Sequence, residues 1–245
     1  MSEEVGTALI TGGTRGLGRA LTLWAARKGW SVVAIYASDE EAAQNLLQAG
    51  SGLPGQIQCV RHDASKPGFP ALAGDRRMVF IHSASAPFQP SPLHLLDPAE
   101  FQRQWEIAVL GFVHGLHAVL RPMVRNGGGT VVGVLTSALD GMPPKGFGAY
   151  SSAKQALWGL SRSLGCEYRD KGVRSFCVSP GFMQTDFSDG WDSRLRAAVA
   201  DAQAGGAHDP EKVAEEIWGL VLDPSVPAMG ENYPVGNPGG QGLLR

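Results

Sequence analysis

Residues Thr7–Lys28 read TALITGGTRGLGRALTLWAARK, and this stretch decides the fold. An apolar run ending at Thr11 has the length and composition of a buried strand, glycines crowd positions 12 to 18, and good helix formers run from Arg19 to Lys28. In such a strand-loop-helix unit glycines let backbone amides approach a pyrophosphate, which then sits at the positive end of the helix. Glycines also serve tight turns that bind nothing, so the loop must be read with its surroundings. Gly12, Thr14, Arg15, Gly16, Leu17 and Gly18 are the candidate phosphate-binding residues.

Outward from this unit, short runs rich in branched residues recur at Thr7–Thr11, Ser31–Tyr36, Ile57–Arg61, Met78–His82, Thr130–Leu135 and Arg174–Ser179. Most are followed by a segment of helical period, so βαβ units and a parallel sheet are expected. Asp97-Pro98 and Asp209-Pro210 mark helix starts, since Asp caps free amides and Pro fits the first turn. They predict helices near 98–121 and 210–222. Only 18 residues separate Asp63 from His82, with Pro67 and Pro70 among them, so the crossover helix there is expected to be short or absent. No repeat or linker divides the chain, which reads as a single domain over residues 1–245.

With 245 residues, Lys+Arg 21 against Asp+Glu 23, a formal net charge of −2 and 43% hydrophobic residues, the composition suits a folded domain with a full core. It offers no basic cluster for nucleic acid. The start MSEE is acidic where a signal peptide is basic, and no uninterrupted apolar run has the length of a membrane span, so a cytoplasmic protein without membrane partners is expected. Cys59, Cys166 and Cys177 lack disulfide or metal-site spacing, and no metal is expected. His114 and His117 read as helix-surface or interface residues.

The loop spacing is TGxxxGxG, Tyr150-Ser151-Ser152-Ala153-Lys154 is a YxxxK motif, Ser137 lies thirteen positions before Tyr150, and Pro180–Thr185 reads PGxxxT. Together these resemble the short-chain dehydrogenase/reductase family, closest in motif to β-ketoacyl and polyketide ketoreductases. The resemblance implies a Rossmann-type, doubly wound parallel sheet binding a nicotinamide cofactor. It makes Ser137, Tyr150 and Lys154 the catalytic set, with Tyr150 as proton donor and Ser137 orienting the carbonyl oxygen. Lys154 would bind ribose and, as a neighbouring cation one helical turn away, lower the Tyr150 pKa. Counting forward from Gly129 instead selects Thr136 as the hydroxyl partner; counting back from Tyr150 selects Ser137, which is preferred.

The same resemblance assigns Ser38, Asp63, Ala64, Ser83, Ala84, Pro180, Gly181, Met183 and Thr185 to the cofactor. Ile35-Tyr36-Ala37-Ser38 carries no acid where NAD-preferring members hold the adenosine ribose, and Arg15 with Ser38 is similar to the pair that receives a 2′-phosphate, so NADP(H) is expected. Asp39 stands beside that pair with the opposite charge. A small carbonyl substrate, apolar or aromatic, is expected from Met142-Pro143-Pro144, Phe147 and Phe182–Trp191. A homodimer or homotetramer would form through the helices near 98–121 and 150–168.

Two departures stand out. The family's NNAG segment is His82-Ser83-Ala84-Ser85, and its helix asparagine is Ala108, where Gln104 could supply the missing amide. These departures keep open an NADP(H) sensor without turnover, or altered chemistry such as dehydration, isomerisation or double-bond reduction.

Overall fold

The computed structural model describes residues 5–72, 77–183, 185–201 and 207–236; Met1–Glu4, and Gln184 of the PGxxxT motif, lie outside them. Six strands stand where the alternation predicts: β1 (Gly6–Thr11), β2 (Ser31–Tyr36), β3 (Gln56–Arg61), β4 (Arg77–His82), β5 (Gly129–Val134) and β6 (Val173–Pro180). A seventh, β7 (Met229–Val235), joins the edge. All pair in parallel, in the order β3-β2-β1-β4-β5-β6-β7.

The seventh strand has little local signal, since MGENYPV carries Gly, Asn and Pro. Its place comes from β6: the buried Ser179 hydroxyl and the Asn232 amide of β7 bond each other at 2.9 and 3.1 Å.

The helices are α1 (Gly16–Arg27), α2 (Glu40–Gly50), α3 (Pro98–Trp105), α4 (Gly111–Arg125), α5 (Gly148–Tyr168), α6 (Ser193–Asp201) and α7 (Pro210–Leu222). Side chains alternate across the strands, and helices cover both faces, which explains the uninterrupted apolar runs. Ala8, Ile10, Val79, Ile81 and Val132 pack with α1 and α7. Leu9, Met78, Phe80 and Val131 meet α4 and α5 on the opposite face.

The helix expected near 98–121 is present as one helical run from Pro98 to Arg125, in which a π turn, Glu106–Leu110, joins α3 to α4. This run contains an 18-residue window of mean hydropathy 1.5, enough by length and composition to cross a bilayer. Here its apolar residues Phe112, Val119 and Met123 are buried with Phe80 and Val131. Between β3 and β4 no helix forms in the described residues 62–72, and buried Phe69 and Leu72 fill that side of the core instead.

In the sheet order, β1 has β2 on one side and β4 on the other. Successive crossovers therefore leave in opposite directions and open a crevice above the carboxyl ends of β1 and β4.

Candidate functional site

The crevice is a cleft of about 730 Å³. At one end the glycine loop leaves β1, and α1 begins at Gly16 with no side-chain cap on its N-cap residue Arg15, so first-turn amides are open to an anion. Gly12 has φ +66°, and a Cβ on Gly18 would fall 2.0 Å from the Gly12 carbonyl oxygen. The buried Thr22 hydroxyl ties loop to helix, at 3.0 Å from the Gly13 and 2.9 Å from the Gly18 carbonyl oxygens. Such a cradle, open only to glycine, fits a dinucleotide pyrophosphate.

The structure brings every candidate catalytic and cofactor-binding residue of the sequence reading to this cleft. Gly12, Thr14, Arg15, Gly16, Leu17, Gly18 and Ser38 line one end with Asp63 and Ala64. Ser83, Ala84, Pro180, Gly181, Met183 and Thr185 line the middle, and Ser137, Tyr150 and Lys154 the floor. At the rim Arg15 pairs with Asp39, Nη1 to Oδ2 3.3 Å, both partly exposed. Asp39 is also the N-cap of α2, accepting from the Ala42 amide at 2.9 Å. Asp63 makes the local turn its sequence allows, accepting from the Ser65 amide at 2.9 Å. Burial pushes its carboxyl up, but the bonds from Ser65 and the Lys66 charge outweigh this and hold it below the usual range.

On α5, Tyr150 and Lys154 share a face, with the ammonium 5.8 Å from the phenol ring centroid. The expected depression of Tyr150 by Lys154 is absent. Burial pushes Tyr150 up to about 12, against a hydrogen bond with Thr136 that pulls the other way. Lys154 is itself pushed down to about 8 by burial, and its Nζ donates to the Val134 carbonyl at 2.8 Å. The phenol is thus kept protonated by desolvation and the amine sits near its midpoint at mildly alkaline pH.

The Thr136 hydroxyl is the one that pulls the Tyr150 pKa down against burial, and Ser137 beside it lines the same cleft. After β5 the chain turns into a short helical turn, Ser137–Leu139, capped by Thr136, whose Oγ1 accepts from the Ala138 amide at 3.2 Å. This reversal carries both hydroxyls to the cleft.

Sequence reasoning missed His82. It is fully buried at the end of β4, with Nε2 3.1 Å from the Ile107 carbonyl of the π turn and Nδ1 2.9 Å from the Thr11 hydroxyl. A carbonyl only accepts, so Nε2 carries the proton and Nδ1 accepts from Thr11. The Thr11 oxygen in turn accepts from the Ser83 and Ala84 amides, 3.1 Å each. Burial, with the Lys154 charge adding to it, pushes His82 down to about 3. One neutral ring therefore joins β1, the 83–84 segment and the π turn behind Lys154. The only signal in the sequence is a histidine closing a strand where the family has asparagine.

The amide expected from Gln104 goes elsewhere. Gln104 is buried, with Nε2 3.2 Å from the Ala86 carbonyl and 2.8 Å from Glu100, and it holds the 83–88 segment. Ala108 is buried in a small apolar cluster with Val109 and Ala153; Ile107 is the π-turn residue that faces the cleft. His114 is partly buried against the Ala64 carbonyl, Nδ1 at 3.4 Å.

Aromatic rings enclose Tyr150. Phe88 stacks on it at 4.9 Å and 16°, with Phe147, Phe187 and Trp191 packed around. Trp191 Nε1 donates to the Phe88 carbonyl at 2.8 Å and Gln89 Nε2 to that of Gly190 at 2.7 Å, which closes the 185–191 segment over the site.

With the geometry described, comparison with known proteins is informative. The sequence profile of the short chain dehydrogenase family matches residues 6–195. A cis-4-hydroxycyclohexanecarboxylate dehydrogenase of Sinomonas cyclohexanicum is 32% identical, over 88% of this chain and 89% of its own length. A 3-oxoacyl-[acyl-carrier-protein] reductase of Aggregatibacter actinomycetemcomitans is 26% identical, over 89% and 90%. Among solved structures, a short chain dehydrogenase from Burkholderia cenocepacia in complex with NADP superposes with a TM-score of 0.79, at 20% identity, over 96% of this chain and 98% of its own.

Proposed function

Because the chain belongs to the short chain dehydrogenase family, we propose that it is an NADPH-dependent carbonyl reductase, turning a ketone or β-keto-acyl group into an alcohol. The observation that carries this reading is the meeting of Tyr150, Lys154 and the Thr136 and Ser137 hydroxyls on the floor of a cleft that starts at the glycine loop. A nicotinamide dinucleotide, when bound, supplies the hydride. Tyr150, protonated across the neutral range, gives its proton to the carbonyl oxygen. Lys154 holds ribose and keeps a positive charge behind the phenol. Steady consumption of NADPH with a panel of ketones tests the reading; retention of cofactor without turnover of any ketone would favour a sensor.

The two hydroxyls divide the work. Thr136 meets Tyr150 and caps the Ala138 amide, so it orients the acid; Ser137, thirteen positions before Tyr150, lines the same cleft and holds the substrate oxygen. Ser137→Ala is expected to lower kcat by about a hundredfold, and Thr136→Val by less. A larger loss from Thr136→Val would exchange the roles.

Cofactor choice rests on Arg15 and Ser38. A 2′-phosphate there shares Arg15 with Asp39, an exposed pair of small intrinsic worth. Removing one charge-assisted contact costs about 1.5–3 kcal/mol, so Arg15→Ala is expected to weaken NADPH by roughly tenfold or more and leave NADH nearly unchanged. Asp39→Asn is expected to tighten NADPH. Cofactor titrations check both, and equal affinity of the unmodified protein for NADPH and NADH would reject the assignment.

Phe101, Trp105 and Leu110, on α3 and the π turn, are large apolar residues left exposed. They support assembly of copies through this helical face, which light scattering measures.

A further inference from the structure

We propose that Phe88 is a positioning residue for the reduction: its ring covers one face of the Tyr150 phenol, fixes the orientation of that phenol and separates it from a second groove that is open to water. The proposal rests on the reductase reading and names what keeps its proton donor oriented and dry.

Phe88 stands between two hollows. Tyr150 and Phe187 line the catalytic cleft, and Phe88 does not. Phe88 instead joins Phe187 on the wall of a separate groove of about 360 Å³, which also carries Gln89, Ser91, Asp97, Glu100 and Arg103. Leu95, at 68% exposure, and the half-exposed Arg103 side chain open this groove to water. Glu100 and Arg103 lie 3.9 Å apart in it. Solvent and charge therefore reach Phe88, while Tyr150, which does not line the groove, stays buried behind it.

The Phe88 ring is fixed in that place. It lies nearly parallel on Tyr150, at 4.9 Å and 16°, and meets Phe147, Phe187 and Trp191 edge-on at 5.0, 5.8 and 5.4 Å. A flat ring in four such contacts has one orientation, and the phenol stacked on it shares the constraint. The backbone here is tied independently of the ring: the Phe88 carbonyl accepts from Trp191 Nε1 at 2.8 Å, and the Ala86 carbonyl from Gln104 Nε2 at 3.2 Å. A shorter side chain at position 88 therefore uncovers the phenol while the segment stays anchored. The polar groups at the phenol are the Thr136 hydroxyl and the Lys154 ammonium, 5.8 Å from the ring centroid. Loss of water is what pushes Tyr150 up to about 12, and Phe88 is the ring that holds the water of the groove away from it.

The test compares Phe88→Ala with Phe88→Leu, which keeps an apolar cover, and with Leu96→Ala, which enlarges the same groove without uncovering Tyr150. Ionisation of Tyr150 is read from the ultraviolet band of tyrosinate at about pH 11. Each variant is measured against the same variant carrying Tyr150→Phe, with circular dichroism reporting the fold. The unmodified protein and Leu96→Ala are expected to keep the phenol mostly protonated at that pH. Phe88→Ala is expected to ionise about half of it, as its value moves from about 12 toward the ordinary 10, with Phe88→Leu in between. In Phe88→Ala kcat for a ketone is expected to fall roughly tenfold, with NADPH affinity unchanged because Phe88 does not line the cleft. An unchanged titration in Phe88→Ala overturns the proposal, and so does an equal shift in Leu96→Ala or a shift that leaves the kcat of an active enzyme unchanged. Where Phe88→Ala does not hold its fold, Phe88→Leu is read in its place, and a titration matching the unmodified protein overturns the proposal in the same way. If the titration shifts but the unmodified protein consumes NADPH with no ketone, the cover by Phe88 stands and the reductase reading fails; if ketones are reduced and neither titration nor kcat responds to Phe88→Ala, the reverse holds.

Discussion

Tyr150→Phe is expected to lower turnover by about a hundredfold to ten-thousandfold, the range that general acid catalysis contributes, while NADPH affinity stays within a few-fold. The phenol oxygen is the proton source in the proposed reaction, whereas the ring is held by Phe88, Phe147 and Phe187, so the substitution keeps the packing and removes the chemistry. The pH dependence follows from the two buried groups. Tyr150, pushed up to about 12, keeps its proton throughout the neutral and mildly alkaline range. Lys154, pushed down to about 8, loses its charge first. Reduction by the unmodified enzyme is therefore expected to fall as pH rises through about 8, not near the ordinary pKa of tyrosine or lysine. Initial rates over that range check the limb, and an unchanged rate in Tyr150→Phe would place the proton donor elsewhere.

Loss of His82 is expected to cost the most stability. His82→Leu leaves the Thr11 hydroxyl and the Ile107 carbonyl without their buried partner, at about 1–3 kcal/mol each, a Tm drop on the order of 10 °C for a chain of this size. His82→Gln keeps a donor and an acceptor and is expected to lose less. The ring also makes the fold acid-sensitive. Its folded pKa of about 3 lies below the ordinary 6.5, so between those values the unfolded chain binds a proton that the folded chain refuses. Stability therefore falls as pH drops from 6.5 toward 3, by an amount on the order of 4 kcal/mol from this one group. Unfolding curves at neutral and acidic pH, with His82→Gln for comparison, isolate that share; an equal acid loss in the variant would assign it to other groups.

Local pattern determined much of this protein. Glycine between a branched strand and a helix is legible because φ near +66° at Gly12, and the 2.0 Å approach at Gly18, admit no side chain. Six strands are legible because a sheet covered on both faces needs continuous apolar runs. Tyr150 and Lys154 are legible because four residues on a helix return to the same face.

Tertiary structure decided the remainder, for reasons that no local window contains. β7 is a strand because β6 offers it a partner, including the buried Ser179 to Asn232 pair. Tyr150 is a weaker acid than its spacing from Lys154 implies, since that spacing sets their proximity, and the enclosing aromatic rings set how much water each charge loses. Gln104 spends its amide on Ala86 because the 83–88 segment passes over it. His82 acquires its role from Thr11, 71 positions earlier, and Ile107, 25 later. A side chain's chemistry is written in the sequence, but its partners and its solvation come from chain segments that only folding brings together.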